Sequence, residues 1–144
     1  MLVIVLAMMF CACEKNETGM PYGVYKSDVG TIRHEDNKVY FEDMDEEFLL
    51  ELKSSAMAAL KYFESRDEGE PISDEELKNL KEEYRKGFDA SLYVNKEFSY
   101  EYEKYEGEYC VNFALNDGED TVFSFDYYME QQYISFGDKE FRVE

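Results

Sequence analysis

The sequence predicts an α+β domain: an antiparallel sheet, curled or closed into a small barrel of about seven to eight strands, with a two-helix insertion at about 45–65 and 73–87. Three observations carry this expectation. Apolar and polar residues alternate along short runs at both ends of the chain, the signature of strands with one face in a core. Turn residues separate these runs by short intervals, which favours antiparallel hairpins. Between the two β-rich parts the apolar spacing changes to threes and fours, the period of a helix. An open sheet with both helices packed on one face fits the same pattern nearly as well as a barrel.

In chain order, Tyr22–Lys26 reads as a first strand, and Thr31–His34 and Lys38–Glu42 flank Glu35–Asn37 as a hairpin. Asp45 then caps a helix, with Glu46 and Glu47 in the first turn, where the helix dipole favours negative charge. Leu49, Leu52, Ala56, Leu60 and Phe63 follow at spacings of 3, 4, 4 and 3, one helix face that Phe48 and Ala59 widen. Gly69 and Pro71 break the pattern. Ser73 with Glu76 forms a capping box, and Ile72 with Leu77 a hydrophobic staple. Leu77, Leu80, Tyr84 and Phe88 make only a narrow stripe, so this second helix should be mostly exposed. The last third is β again. Phe98, Tyr100 and Tyr102 alternate with polar residues, as do Tyr109, Val111, Phe113 and Leu115. Asn116–Asp120 is a hairpin turn, Phe123, Phe125 and Tyr127 continue beyond it, and Gln132–Val143 form a final hairpin.

The N-terminus is of another kind. Met1–Phe10 is an uncharged apolar run, too short for a spanning helix, which needs roughly 20 residues. It matches the apolar part of a secretory signal. Cleavage after Ala12 would put the bulky Phe10 at position −3, which ordinary signal peptidase sites reject. A lipobox accepts it and requires cysteine at +1. Phe10–Cys11–Ala12–Cys13 therefore resembles a bacterial lipoprotein signal, with Phe10 where that family usually has Leu. The resemblance implies a signal peptide over 1–12, a lipidated Cys13 opening a polar tether over 13–22, and a single domain over 23–144. It implies an address at the cell envelope, on the extracytoplasmic face. Two acyl chains at about 0.8 kcal/mol per buried methylene suffice for stable anchoring. The opening Gly23–Val–Tyr25 and the run of hairpins are also loosely similar to lipocalin-like domains of small bacterial lipoproteins.

The net charge is −19, and none of it lies in residues 1–12. Such a charge opposes nucleic acid, which demands a basic footprint, and repels anionic headgroups. The membrane partner is therefore met through the N-terminal lipid alone. Thirteen Tyr and eleven Phe are too many aromatics for a disordered acidic chain, so an aromatic core inside an acidic shell is expected. Once Cys11 is removed and Cys13 acylated, only Cys110 remains, and no intramolecular disulfide can form.

No catalytic residue, metal ligand or cofactor site is expected. His34 is the sole histidine and reads as a surface side chain on a hairpin strand. Cys110 lies mid-strand, without the helix N-terminus or basic neighbours that activate a thiol. The acidic clusters Glu42–Glu47 and Asp117–Asp120 lack EF-hand spacing and read as a helix start and a turn. Tyrosines exceed what a buried core favours, since each buried hydroxyl needs a partner. Tyr100, Tyr102 and Tyr105 are the candidate aromatic binding surface. The leading expectation is a non-enzymatic binding or interaction module whose partner is a protein or a small apolar or cationic ligand. The alternatives are a secreted carboxylate-dependent hydrolase and a structural accessory subunit of an envelope complex.

Overall fold

The computed structural model describes residues 16–107 and 109–144, so Cys13 and the rest of the lipobox lie outside the described residues. Three strands come first: β1 (Gly23–Ser27), β2 (Gly30–Glu35) and β3 (Lys38–Glu42). Two helices follow, α1 (Glu46–Asp67) and α2 (Asp74–Gly87), then a 3-10 turn over Ala90–Tyr93. Five strands complete the chain: β4 (Glu97–Lys104), β5 (Cys110–Asp117), β6 (Asp120–Tyr128), β7 (Tyr133–Phe136) and β8 (Lys139–Val143).

The sheet is a closed up-and-down barrel in strict chain order, every pair antiparallel. Closure is made by β8 against β1, with Tyr25 opposite Val143 and Lys26 opposite Arg142. Of the open and closed sheets that the alternation allows, the chain thus forms the closed one, in which every strand has a neighbour on both sides, although β3 meets β4 only at Val39 with Phe98 and Tyr40 with Glu97, and β6 meets β7 only over Asp126–Tyr128. The β2–β3 turn places Asp36 and Asn37 at positive φ (52° and 58°), the backbone that a two-residue hairpin requires.

Alternation sends one aromatic set inward. Tyr25, Ile32, Val39, Phe98, Phe113, Leu115, Ile134, Phe136 and Phe141 are all fully buried. Their rings meet edge to face, as in Phe41 on Phe98 at 4.8 Å and Phe123 on Phe136 at 5.9 Å. Side chains with no area open to a water-sized probe leave no ligand-sized void between them, so this barrel is filled rather than hollow.

The two ends differ. One carries the β1–β2, β5–β6 and β7–β8 turns and the helical insertion. There Asp45 accepts a bond from the Phe48 amide at 2.7 Å and starts α1, whose Phe48, Leu49 and Leu52 pack over the barrel opening. Gly137, in the β7–β8 turn at φ +60°, makes this seating feasible: a Cβ there would lie 2.7 Å from Leu52 Cδ1. The opposite end, the far rim, carries the β2–β3, β4–β5 and β6–β7 turns and the segment leading into β1. In that segment Thr18 and Met20 are buried, although the stretch is polar enough to read as tether. Pro21 carbonyl accepts from Tyr25 Oη at 2.7 Å and holds the segment across the rim.

Helix α1 has two working faces. Small residues Ser54, Ala58 and Ser65 are buried on one, where α2 packs and Ser65 Oγ accepts from the Ile72 amide at 3.2 Å. Glu51 and Glu47 pair there with Arg85. The second face is the apolar stripe read from the spacing, and it is covered only in its first half. Leu60 and Phe63 are 63% and 57% exposed. The reason is length: 22 residues make a helix of about 33 Å, and its barrel contacts come from its first turns. Helix α2 has no fully buried residue, as its narrow stripe predicts.

Candidate functional site

The far rim gathers tyrosines from four separate parts of the chain. Strand β4 brings Tyr100 and Tyr102 to it on the inward-facing side, in register with Leu115 and Phe113. The β4–β5 turn brings Tyr105 and Tyr109, the strand ends that flank the β6–β7 turn bring Tyr128 and Tyr133, and the segment before β1 brings Tyr22. Tyr102, Tyr105 and Tyr109 are 42%, 41% and 57% exposed.

His34 underlies the inner part of the rim and corrects the sequence reading: it is fully buried, not a surface side chain. The cause is strand parity, because Ile32 faces the core and His34 must do the same. Its ring is satisfied at both nitrogens. Nε2 lies 2.9 Å from Tyr100 Oη, and Nδ1 lies 3.4 Å from the Pro21 carbonyl. Tyr22 meets its face edge-on at 4.7 Å. Burial lowers the imidazole pKa from its usual value, with the Pro21 and Met20 carbonyls acting in the opposite sense. Burial also pushes the Tyr100 hydroxyl up to about 12, helped by Tyr22 and Tyr102. Both rings are therefore neutral near pH 7 and act as fixed hydrogen-bonding furniture beneath the surface.

Above them, Tyr102 stands 6.5 Å from the Tyr100 ring and 6.4 Å from Phe113. Glu17, Thr18, Asn37, Tyr100 and Tyr102 line a shallow depression. Tyr22 Oη donates to Asn37 Oδ1 at 2.7 Å and accepts from the Asn37 amide at 3.2 Å, tying the leading segment to the β2–β3 turn.

The outer part of the rim is a second cluster. Tyr105 and Tyr109 stack at 6.5 Å with 23° between planes, while Tyr128 and Tyr133 stack at 5.1 Å and 20°. Arg142 lies over the Tyr133 ring at 4.8 Å. Asp126 sits close enough to Tyr105 to raise its hydroxyl pKa. Cys110 is buried beneath this cluster, its thiol pushed up to about 11 by burial and by Asp126. A thiol shifted in that direction is a poor nucleophile. Parity with the inward Val111 and Phe113 places Cys110 on the outer face of the wall and His34 on the inner face, so the two are not partners.

Of the three tyrosines predicted, Tyr100 and Tyr102 share the inner rim, and Tyr105 belongs to the outer cluster with Tyr109. Tyr22, Tyr128, Tyr133 and His34 escape sequence reasoning as members of the rim. No local pattern marks them; only barrel closure brings their turns to one end. Among the described residues no group of three or more His, Cys, Asp or Glu is placed to hold a metal ion, and no helix is long and apolar enough to cross a membrane.

The arrangement offers flat aromatic faces, phenol hydroxyls and nearby carboxylates at Glu17, Glu101 and Glu103. That combination suits cationic or amphipathic groups, which stack on tyrosine faces at about 0.5–1 kcal/mol per exposed contact. Compared with known proteins, the chain matches no family model, no curated sequence and no solved structure.

Proposed function

We propose that the chain is a lipid-anchored extracytoplasmic lipoprotein whose domain is a non-enzymatic binding module, recognising a protein partner through the far rim. The observation that carries the binding reading is the concentration of exposed tyrosines at one end of a barrel whose interior is filled. An eight-stranded up-and-down barrel is compatible with a lipocalin-like architecture. A lipocalin that holds a small ligand needs an empty cup, however, and here Phe113, Phe125, Phe136 and Phe141 occupy it. Recognition is thereby moved to the outer surface. Tyrosine is suited to it, since a large amphipathic ring is presented at the expense of two rotatable bonds. Carboxylates beside the rings select lysine and arginine side chains on the partner.

The anchor reading rests on the lipobox and has its own test. Replacing Cys13 by Ser should release the protein from the membrane fraction; unchanged fractionation would disprove anchoring at that residue. For the rim, a photo-crosslinking side chain is placed at Tyr109 and, separately, at Lys78 on α2, in the full chain within the intact envelope. A discrete adduct from position 109 that vanishes when Tyr102 and Tyr105 become Ala is expected. Equal yields at both positions, or an adduct indifferent to those substitutions, would remove the rim from the function.

A further inference from the structure

Beyond the barrel end, α1 carries Ala56, Ala59, Leu60 and Phe63 on one exposed face, turned away from the face that packs on α2. The ridge continues into a groove lined by Leu52, Lys53, Ala56, Val122 and Phe123. Two large apolar side chains left this open on a chain of net charge −19 call for an occupant.

The order of sizes along the ridge identifies it. Ala56 and Ala59 come first, Leu60 and Phe63 after, so the N-terminal half offers hollows and the C-terminal half offers knobs. A second copy of α1 laid antiparallel about a two-fold axis near Ala59–Leu60 sets each Phe63 over the other copy's Ala56, with Leu60 near the axis. Such a pairing is isologous and closes at two. The charges fall into the same register. Lys53, Glu64 and Asp67 share one flank of the ridge at helical spacing. The antiparallel pairing that seats Phe63 on Ala56 also brings each Lys53 opposite the other copy's Glu64 and Asp67.

Lys53 is suited to that role. Its Nζ donates to the neutral Val122 carbonyl at 2.5 Å and lies about 6 Å from the Phe88 and Phe123 rings. Among the described residues no carboxylate is within ion-pair distance of it. From Lys53 to Asp67 the helix bears three cations (Lys53, Lys61 and Arg66) against two carboxylates, so two copies approach here without the repulsion of their acidic surfaces. We infer that α1 is a self-association surface and that the partner it fits is a second copy of this chain, paired antiparallel through Ala56, Leu60 and Phe63. The paired stretch from Lys53 to Asp67 is only about 20 Å long, far below the area of a standard stable interface, so the association is weak and concentration-dependent.

Sedimentation equilibrium of the full chain, in one non-ionic detergent throughout, tests this. The wild type should shift from monomer toward dimer mass as protein concentration rises. Leu60→Glu should abolish the shift, and because Leu60 is exposed the fold should survive, as far-UV circular dichroism would verify. Two further variants separate specific pairing from general stickiness. Ala56→Phe fills the hollow: specific pairing weakens, whereas an indiscriminate apolar patch would associate more. Asp67→Lys removes acidic charge: specific pairing again weakens, whereas simple relief of repulsion would strengthen association. A wild type that stays monomeric, a shift retained in Leu60→Glu, or a gain in either of the last two variants would overturn the inference.

Discussion

At the scale of single residues, His34 decides most about how the rim responds to pH. Burial lowers its pKa in the folded protein, so the unfolded chain binds a proton more readily than the native one. Stability from this group is therefore fully present above the unfolded value near 6.5 and declines as pH falls below it. His34 is the chain's sole histidine, so replacing it removes the one imidazole that titrates in this window. Urea unfolding at pH 5.5 and 7.5 should show the wild type less stable at the acid value; His34→Gln should flatten the difference, and an equal slope in both would exclude His34 as its origin. Tyr100→Phe removes the hydroxyl facing His34 Nε2 and leaves that nitrogen in apolar surroundings. A loss of about 1–3 kcal/mol is expected, and a variant as stable as wild type would mean that the 2.9 Å contact contributes little.

Among the elements, α1 links sequence to architecture most directly. Asp45→Ala should cost about 1 kcal/mol through the lost cap, since it frees the first turn that seats Phe48 and Leu49 on the barrel. Gly137→Ala should cost more than about 1 kcal/mol, because it combines a positive φ with a clash against Leu52. Chemical denaturation of both variants measures this, and a neutral Gly137→Ala would show that α1 can shift at no cost. The same helix shows how far local pattern reaches. Period two and period 3.6 identify strands and helices because each element must present one face to a common core, and Asp45 and Ser73 mark the helix starts because orphan amide groups need acceptors. Those requirements are local, and the sequence states them openly. Closure of β8 on β1 is not local, nor is the inward placement of His34, nor the meeting of Tyr22, Tyr105 and Tyr133 at one rim. Each depends on which turns share an end of the barrel, and that follows only once all eight strands are in register. The stripe ending in Leu60 and Phe63 is the reverse case: its period is legible, but how much of it the barrel covers depends on a width that no local spacing encodes.

For the whole molecule, an aromatic-filled barrel must reconcile its core with a net charge of −19. Self-repulsion at low salt opposes the compact state, and screening relieves it as the Debye length shrinks from about 30 Å at 0.01 M to about 8 Å at 0.15 M. The melting temperature should therefore rise over that range of added salt, and a flat profile would mean that pairs such as Arg85 with Glu47 and Glu51 already neutralise the harmful contacts. Phe113→Ala, at the centre of the filled interior, should cost about 3–5 kcal/mol, enough to threaten a domain of this size. The burial of Thr18 and Met20 in the far rim bears on geometry at a larger distance. From residue 13 to Thr18 the backbone can extend at most about 18 Å, roughly half the width of a domain of this length. With a lipid on Cys13, the barrel would swing on a leash too short to let it capsize. Its tyrosine end would stay turned toward the bilayer, and the helical end, with the open face of α1, would point outward into the surrounding space.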